Sequence, residues 1–295
     1  MQMFKYDSIA DLVSAAEKEN VRISDLVIKE QAEARECSVE EMYNKMYKSF
    51  KVMIEAVEKG IVKDSRSVSG LTGGSAWKMR EQVAAGKNIC GPVFGNAMIM
   101  ALAVSETNAC MGKIVAAPTA GSCGILPAAI LSVMNDRKIP EKDVVMSMFT
   151  ASAIGLVAAN KASIAGAEGG CQAECGVGSA MAAAAVTEMC GGTPQMVSDA
   201  CAIAIKNILG LVCDPVAGLV EIPCIKRNAM GTANAFTAAE LALAGITSAI
   251  PADETLWAMK KVGDSMSSAL KETGEGGLAA TPTGKRLKVQ VFGEE

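Results

Sequence analysis

Two cysteines flanked by prolines mark the part of this chain best equipped for chemistry. They lie in Leu209–Asn228, LGLVCDPVAGLVEIPCIKRN, as Cys213-Asp214-Pro215 and Pro223-Cys224. Proline fixes its own φ and disfavours helix in the residue before it, so both thiols are expected at rigid chain breaks rather than inside helices. A thiol held at such a break can be aimed, and the following Lys226 and Arg227 would favour its thiolate. Two more cysteines, Cys171 and Cys175, lie earlier in the chain, in the glycine-rich stretch SIAGAEGGCQAEC at 163–175. Soft thiolates without histidine select zinc or iron–sulfur centres. The close C-x-x-C pairs of zinc ribbons and ferredoxins are absent, so spacing leaves two readings open: a metal centre, or small buried hydrophobes. Cys37, Cys110, Cys190 and Cys201 lie elsewhere, three of them in or at the ends of helical patterns, and are expected to pack or to be incidental.

The composition narrows the chemistry further. The chain has ten cysteines and no histidine. A Ser-His-Asp triad, a Cys-His pair and a zinc site with histidine ligands are therefore excluded within this chain. Acid–base work falls to Lys, Glu, Asp, Ser, Thr, Tyr or a group from a partner. The formal charge of −4 comes without any basic block, which argues against nucleic acid. The opening MQMFKYDSIADLV is charged from Lys5 onward and shows no secretory pattern, so a cytoplasmic protein without disulfides is expected. Ile114 to Asn135 is uncharged and long enough to span a bilayer, but Pro118, Thr119, Gly121, Ser122 and Pro127 would strand backbone groups in lipid. Val144 to Asn160 carries Ser147, Thr150 and Ser152, so buried helices and no membrane are the expectation.

These side chains need elements to position them. Residues 1–66 carry 24 charged side chains, whereas 88–135 carry only Glu106 and Lys113. The first part reads as a charged amphipathic helical segment packed on the core. Ser8 and Ser24 are candidate N-caps, and Ser38 with Glu41 makes a capping box. The helix after that box shows Met42, Met46, Phe50, Met53, Ile54 and Val57 at helical spacing before Gly60, a packing stripe. A short helical segment ends near Gly86, and helical patterns recur near 94–111, 124–135, 141–160, 172–190, 194–208, 228–246 and 253–272. Thr193-Pro194 suits a helix start and Gly210 a helix end. Only Ile114–Ala117 and Lys288–Phe292 resemble strands, with no strand–helix alternation, so the fold is expected to be all-α, a largely buried helical bundle. The boundaries predicted are a helical segment over 1–66, a helical catalytic domain over 67–280 and a tail over 281–295.

Glycine-rich loops separate these helices: Gly70–Ser75, Ala117–Gly124 (APTAGSCG), Ser163–Cys175 and the opening stretch. The first three lead into helix N-termini, whose free amides and positive dipole end favour an anion such as a carboxylate. Singly such a loop is a turn and a cap. Four of them in an apolar bundle point to a buried polar site.

The segments AAPTAGSCGILP (116–127), SIAGAEGGCQAE (163–174), Leu209–Asn228 and ETGEGGLA (272–279) resemble the iron–sulfur type of L-serine dehydratase, over roughly residues 67–280. The chain is similar in length to the alpha chain of the two-subunit form. The resemblance implies a 4Fe–4S cluster held by Cys171, Cys213 and Cys224, with Cys175 and Cys123 outside the ligand set. Three ligands for four irons leave one iron open to act as a Lewis acid on the serine hydroxyl, giving pyruvate and ammonia without pyridoxal phosphate. Single-chain members carry a C-terminal cysteine that can fill the open position. No cysteine follows Cys224 here, so the expectation is an iron held by water or substrate.

The resemblance also implies a beta chain as partner, and that chain offers a histidine this one lacks. Catalytic candidates are Lys113, in an apolar stretch whose burial would lower its pKa, and Ser122. Ser75, Thr119, Ser163 and Asn228 are candidate substrate contacts, and Arg227 a group steadying the cluster's charge. Two competing functions fit the same residues: an iron–sulfur lyase for L-cysteine or L-threonine, and a non-catalytic cluster or zinc scaffold subunit. Lys78, after the Gly70–Ser75 loop, sits inside a helix pattern rather than a Schiff-base motif.

Overall fold

In the computed structural model, which describes residues 5–293, thirteen α-helices and no strand are found among the described residues. The all-α expectation is met. An isolated bridge between Cys213 and Lys271 is the sole strand-like pairing recorded there.

Helix α9 (Val177–Met189) is the centre of the molecule, and every residue from Val177 to Glu188 is buried. Its sequence, VGSAMAAAAVTEM, is small or apolar on all sides, which suits a helix surrounded by others. It packs against α6 (Ile125–Arg137), α7 (Glu141–Lys161), α10 (Pro194–Lys206) and α11 (Cys224–Leu243). Helix α7 is long and apolar enough to cross a membrane by length and composition, but 72% of that stretch is buried inside the molecule, where it is a core helix.

The charged N-terminal helices α1 (Ile9–Glu19), α2 (Ile23–Ala34) and α3 (Val39–Gly60) belong to the same continuous hydrophobic cluster, which runs from Tyr6 to Met259. The methionine stripe of α3 packs, with Met42, Phe50, Met53 and Val57 buried. Gly60 allows α3 to touch α5 (Gly91–Ala109), because a Cβ there would overlap the backbone carbonyl of Ala103. Ser8, Ser38 with Glu41, and Thr193 cap as their sequence contexts indicate.

Several local expectations are corrected by tertiary structure. Ser24 is not a cap: α2 begins at Ile23 after Arg22, and the Ser24 N–H donates to the carboxylate of Glu188 on α9. That carboxylate serves the helix start from across the core. Lys288–Phe292 is not a strand but the end of α13 (Pro282–Phe292), nucleated where Thr281 Oγ1 accepts the Gly284 N–H at 3.0 Å. Residues 114–117 are irregular chain with no partner strand. Helix α11 starts at Cys224, four residues ahead of the pattern, because Pro223 stands at its N-cap. Cys224 is thus the first residue of a helix, not a residue outside one. Helix α12 (Ala252–Ser265) stops short of 272 and gives way to a 3₁₀ turn, Ser268–Leu270. Gly210 adopts φ +86° in a turn beyond α10, which ends at Lys206.

Candidate active site

The thiol-bearing segments meet beside the N-terminal end of α9. Cys171 precedes a π-helical turn, Gln172–Gly176, that continues into α9 and places Glu174 and Cys175 around it. Cys213 lies in extended chain after α10, where its N–H donates to Leu270 O at 2.9 Å and its carbonyl accepts the Glu272 N–H at 2.7 Å. The ETGEGGLA segment is thereby laced to a candidate ligand. Cys224 opens α11. The peptide bonds before Pro118 and Pro223 are cis. All three thiols are buried.

Their electrostatics are those of a shared anionic pocket. The sulfurs of Cys171 and Cys175 stand 3.4 Å apart. Hydrogen bonds from the Cys175 and Cys213 thiols, together with the nearby Arg227 guanidinium, hold Cys171 far below the ordinary thiol range. The same pairing pushes Cys175 and Cys213 up, while burial pushes Cys224 up to about 12. Cys171 is thus the thiol this pocket favours most as thiolate. Arg227 is fixed by donating to Val212 O at 2.8 Å and to Asp214 Oδ1 at 2.9 Å. Asp214 Oδ2 accepts the Leu278 N–H at 2.8 Å, a second tie to the ETGEGGLA segment.

The APTAGSCG loop forms another wall. Thr119 Oγ1 donates to Glu174 Oε1 at 2.8 Å and lies 3.3 Å from Ser122 Oγ, while the Cys213 thiol reaches Glu174 Oε2 at 3.9 Å. Burial first, then the negative charge of Cys171, push the Glu174 carboxyl up to about 7. Hydroxyl, hydroxyl, carboxyl and thiol therefore form one connected line from Ser122 to Cys213. Gly166 lets the backbone approach this line closely, since a Cβ there would lie 2.8 Å from Cys213 Sγ and 3.0 Å from Glu174 Oε2.

Not every sequence-predicted residue joins this line. Thr119 and Ser122 do. Asn228 is buried, and its amide is committed: Oδ1 accepts the Gly124 N–H at 2.8 Å, and Nδ2 donates to Gly121 O at 2.8 Å and Cys224 O at 2.9 Å. It clamps the APTAGSCG loop to the Cys224 helix. Ser163 closes on its own loop, donating to Glu168 Oε2 at 2.7 Å and accepting the Ala165 N–H at 3.1 Å. The amide of Ser75, at the start of α4 (Ser75–Ala84), donates to Glu106 Oε1 at 2.6 Å, so buried Glu106 fills the anion position expected there. Lys113 is exposed, which corrects the expectation of burial. Glu174 was missed, although its place three residues after Cys171 is the spacing that puts two side chains on one helical face.

The donor set is all thiol, buried, and backed by an arginine. Among the described residues no three His, Cys, Asp or Glu side chains are grouped to hold a single metal ion. An iron–sulfur cluster has no such requirement, because each thiolate takes its own iron. The convergence of Cys171, Cys213 and Cys224 in one buried pocket backed by Arg227 fits that kind of group.

Comparison with known proteins decides the family. The serine dehydratase alpha chain family profile matches residues 18–279. This chain belongs to that family. Among its serine dehydratase relatives is a probable L-serine dehydratase alpha chain of Bacillus subtilis, 49% identical over 98% of this chain and 96% of the relative. The L-serine dehydratase alpha chain of Peptoniphilus asaccharolyticus is 44% identical over 94% of this chain and 95% of its own length. An L-serine dehydratase of Streptomyces coelicolor is 37% identical over 91% of this chain, which spans 59% of that relative.

Proposed function

We propose that this chain is the alpha chain of a cytoplasmic L-serine dehydratase that deaminates L-serine to pyruvate and ammonia, working with a beta chain and a 4Fe–4S cluster held by Cys171, Cys213 and Cys224. The observation that carries the reading is the line Ser122–Thr119–Glu174–Cys213 set among three buried thiols and Arg227. When bound, such a cluster supplies a Lewis acid for a hydroxyl that is otherwise a poor leaving group. It requires no pyridoxal phosphate.

The protein groups supply the rest. Ser122 Oγ receives the Cα proton while its own proton passes to Thr119 Oγ1, and the Thr119 proton passes to Glu174 Oε1, along contacts of 3.3 and 2.8 Å. Glu174 ends protonated and Ser122 is restored. Loss of the Cα proton to this line and of the hydroxyl, which departs as water with the proton Glu174 then gives up, leaves aminoacrylate, which tautomerises to an imine and hydrolyses to pyruvate and ammonia. Thr119 and the loop amides near it hold the substrate carboxylate, with exposed Lys113 contributing charge where the loop begins, while Ser75 and Ser163 are spent on Glu106 and Glu168. Asn228 acts through the loop it clamps. Residues 67–280 form the catalytic body, supported by 1–66 and followed by 281–295.

The test is anaerobic co-purification with a beta chain, iron and sulfide analysis, and a pyruvate assay on L-serine, L-threonine and L-cysteine. Four irons and four sulfides per chain with serine turnover are expected. Mössbauer spectra are expected to show one iron distinct from the other three. Cys171→Ser, Cys213→Ser and Cys224→Ser are expected to lose iron, whereas Cys175→Ala keeps it. Metal-free, inactive protein under those conditions overturns the reading.

A further inference from the structure

Glu221 lies between the two proline-flanked thiols and is buried. Its partners are far away in sequence: Ser69 Oγ donates to Oε1 at 2.8 Å and Thr72 Oγ1 donates to Oε2 at 2.5 Å. Both carboxylate oxygens are therefore spent on the glycine-rich loop SGLTGGS. Its other hydrogen bonds are short-range apart from one, the Val68 N–H donating to Ala109 O at 3.3 Å. Ser67 Oγ accepts the Thr72 N–H at 3.3 Å, Ser69 Oγ accepts the Leu71 N–H at 3.1 Å, and Ser65 Oγ accepts the Gly74 N–H at 2.8 Å. Gly70, Gly73 and Gly74 all have positive φ, so the backbone there has wide freedom unless something external fixes it.

The carboxylate sits on a segment that is itself fixed at both ends. Cys213 is laced to Leu270 and Glu272, and Cys224 begins α11. Within the segment, Val216 N donates to Ile222 O at 2.8 Å, closing the turn that presents Glu221. Whatever orders Cys213 and Cys224 therefore orders Glu221, and through it the loop at 67–74.

We propose that Glu221 is a positioning residue that latches the 67–74 loop to the thiol-bearing segment, so that the loop takes its substrate-ready shape only when that segment is ordered. The coupling to substrate rests on the dehydratase reading above; the latch itself does not. Hydrogen bonds to a charged acceptor are the strong kind, and two on one carboxylate fix the loop's height and rotation together. Glutamine retains one acceptor oxygen for one hydroxyl. Alanine retains none.

Two measurements on the full chain separate the latch from the function. Hydrogen–deuterium exchange of the cluster-free protein is expected to show the amides of 67–74 exchanging at least about tenfold faster in Glu221→Ala than in wild type, the loss expected for a charged hydrogen bond. Glu221→Gln is expected to lie between them, and Ser69→Ala/Thr72→Ala to match Glu221→Ala without adding to it. Equal protection in wild type and Glu221→Ala overturns the latch. In the reconstituted complex with a beta chain, Glu221→Ala is expected to raise KM for L-serine about tenfold or more with kcat and iron content near wild type. A fall in kcat at unchanged KM marks a merely structural role and overturns the positioning assignment. If wild type binds no iron and turns over no serine, the dehydratase reading fails while the exchange result still decides the latch.

Discussion

Asp214 and Arg227 are joined by an ion pair of 2.9 Å whose side chains are 4% and 14% exposed. The pair ties together two segments that carry candidate cluster ligands, Asp214 following Cys213 and Arg227 standing three residues after Cys224. Arg227 brings positive charge to the thiolate pocket, and Asp214 fixes where it points while holding the Leu278 amide. Burying two charges is costly, so a pair like this specifies geometry more than it adds stability.

Removing one partner leaves the other charged and unpaired. Asp214→Ala is expected to destabilise the cluster-free protein by about 3–5 kcal/mol, read from urea denaturation. A change below about 1 kcal/mol would show instead that the pair behaves as a solvent-exposed one.

Asn228 offers a sharper test of the clamp. Asn228→Ala leaves the Gly124 N–H, Gly121 O and Cys224 O without their partner, and buried unsatisfied groups cost about 1–3 kcal/mol each. Asn228→Asp keeps the acceptor for Gly124 but sets an oxygen against two carbonyls. Aspartate is therefore expected not to rescue stability or cluster retention, measured by thermal unfolding and iron content.

Gly166 is expected to tolerate no side chain. Its Cβ would press on Cys213 Sγ and Glu174 Oε2, at 2.8 and 3.0 Å. Gly166→Ala should fold with wild-type helicity by circular dichroism yet take up much less iron and sulfide on anaerobic reconstitution. Wild-type loading would show that this close approach is not needed.

Glu188 makes stability depend on pH in a defined direction. Burial is the largest influence on its carboxyl and raises its pKa in the folded protein, and its Oε1 has no hydrogen-bond partner. The protonated form is favoured by folding. Its contribution is complete below the unfolded value near 4.5 and is lost as pH rises through the higher folded value. Unfolding free energy of the cluster-free protein should show this fall with rising pH, and Glu188→Gln should flatten it. Identical pH profiles for the two proteins would count against a shifted Glu188.

Much of this protein was written locally. Capping pairs at Ser8, Ser38 and Thr193, the stripe on α3 and the small-residue run of α9 are short-range patterns, and they dictate helices and a tight helical core. Prolines beside Cys213 and Cys224 and the glycines before Cys171 marked the segments that converge, and the absence of histidine restricted their chemistry. The pairings among those segments were not legible. Thr119 meets Glu174 across 55 residues, Asn228 meets Gly124 across 104, and Glu221 meets Ser69 across 152. Periodicity tells which face of a helix is apolar, not which loop it will face, and a hydroxyl or amide can satisfy itself with many partners. Lys113 and Ser75 show the converse: a charge in an apolar stretch lies at the surface, and a helix start that invites an anion already holds Glu106. Residue type and local order made the thiols available; packing of distant helices decided what stands beside them.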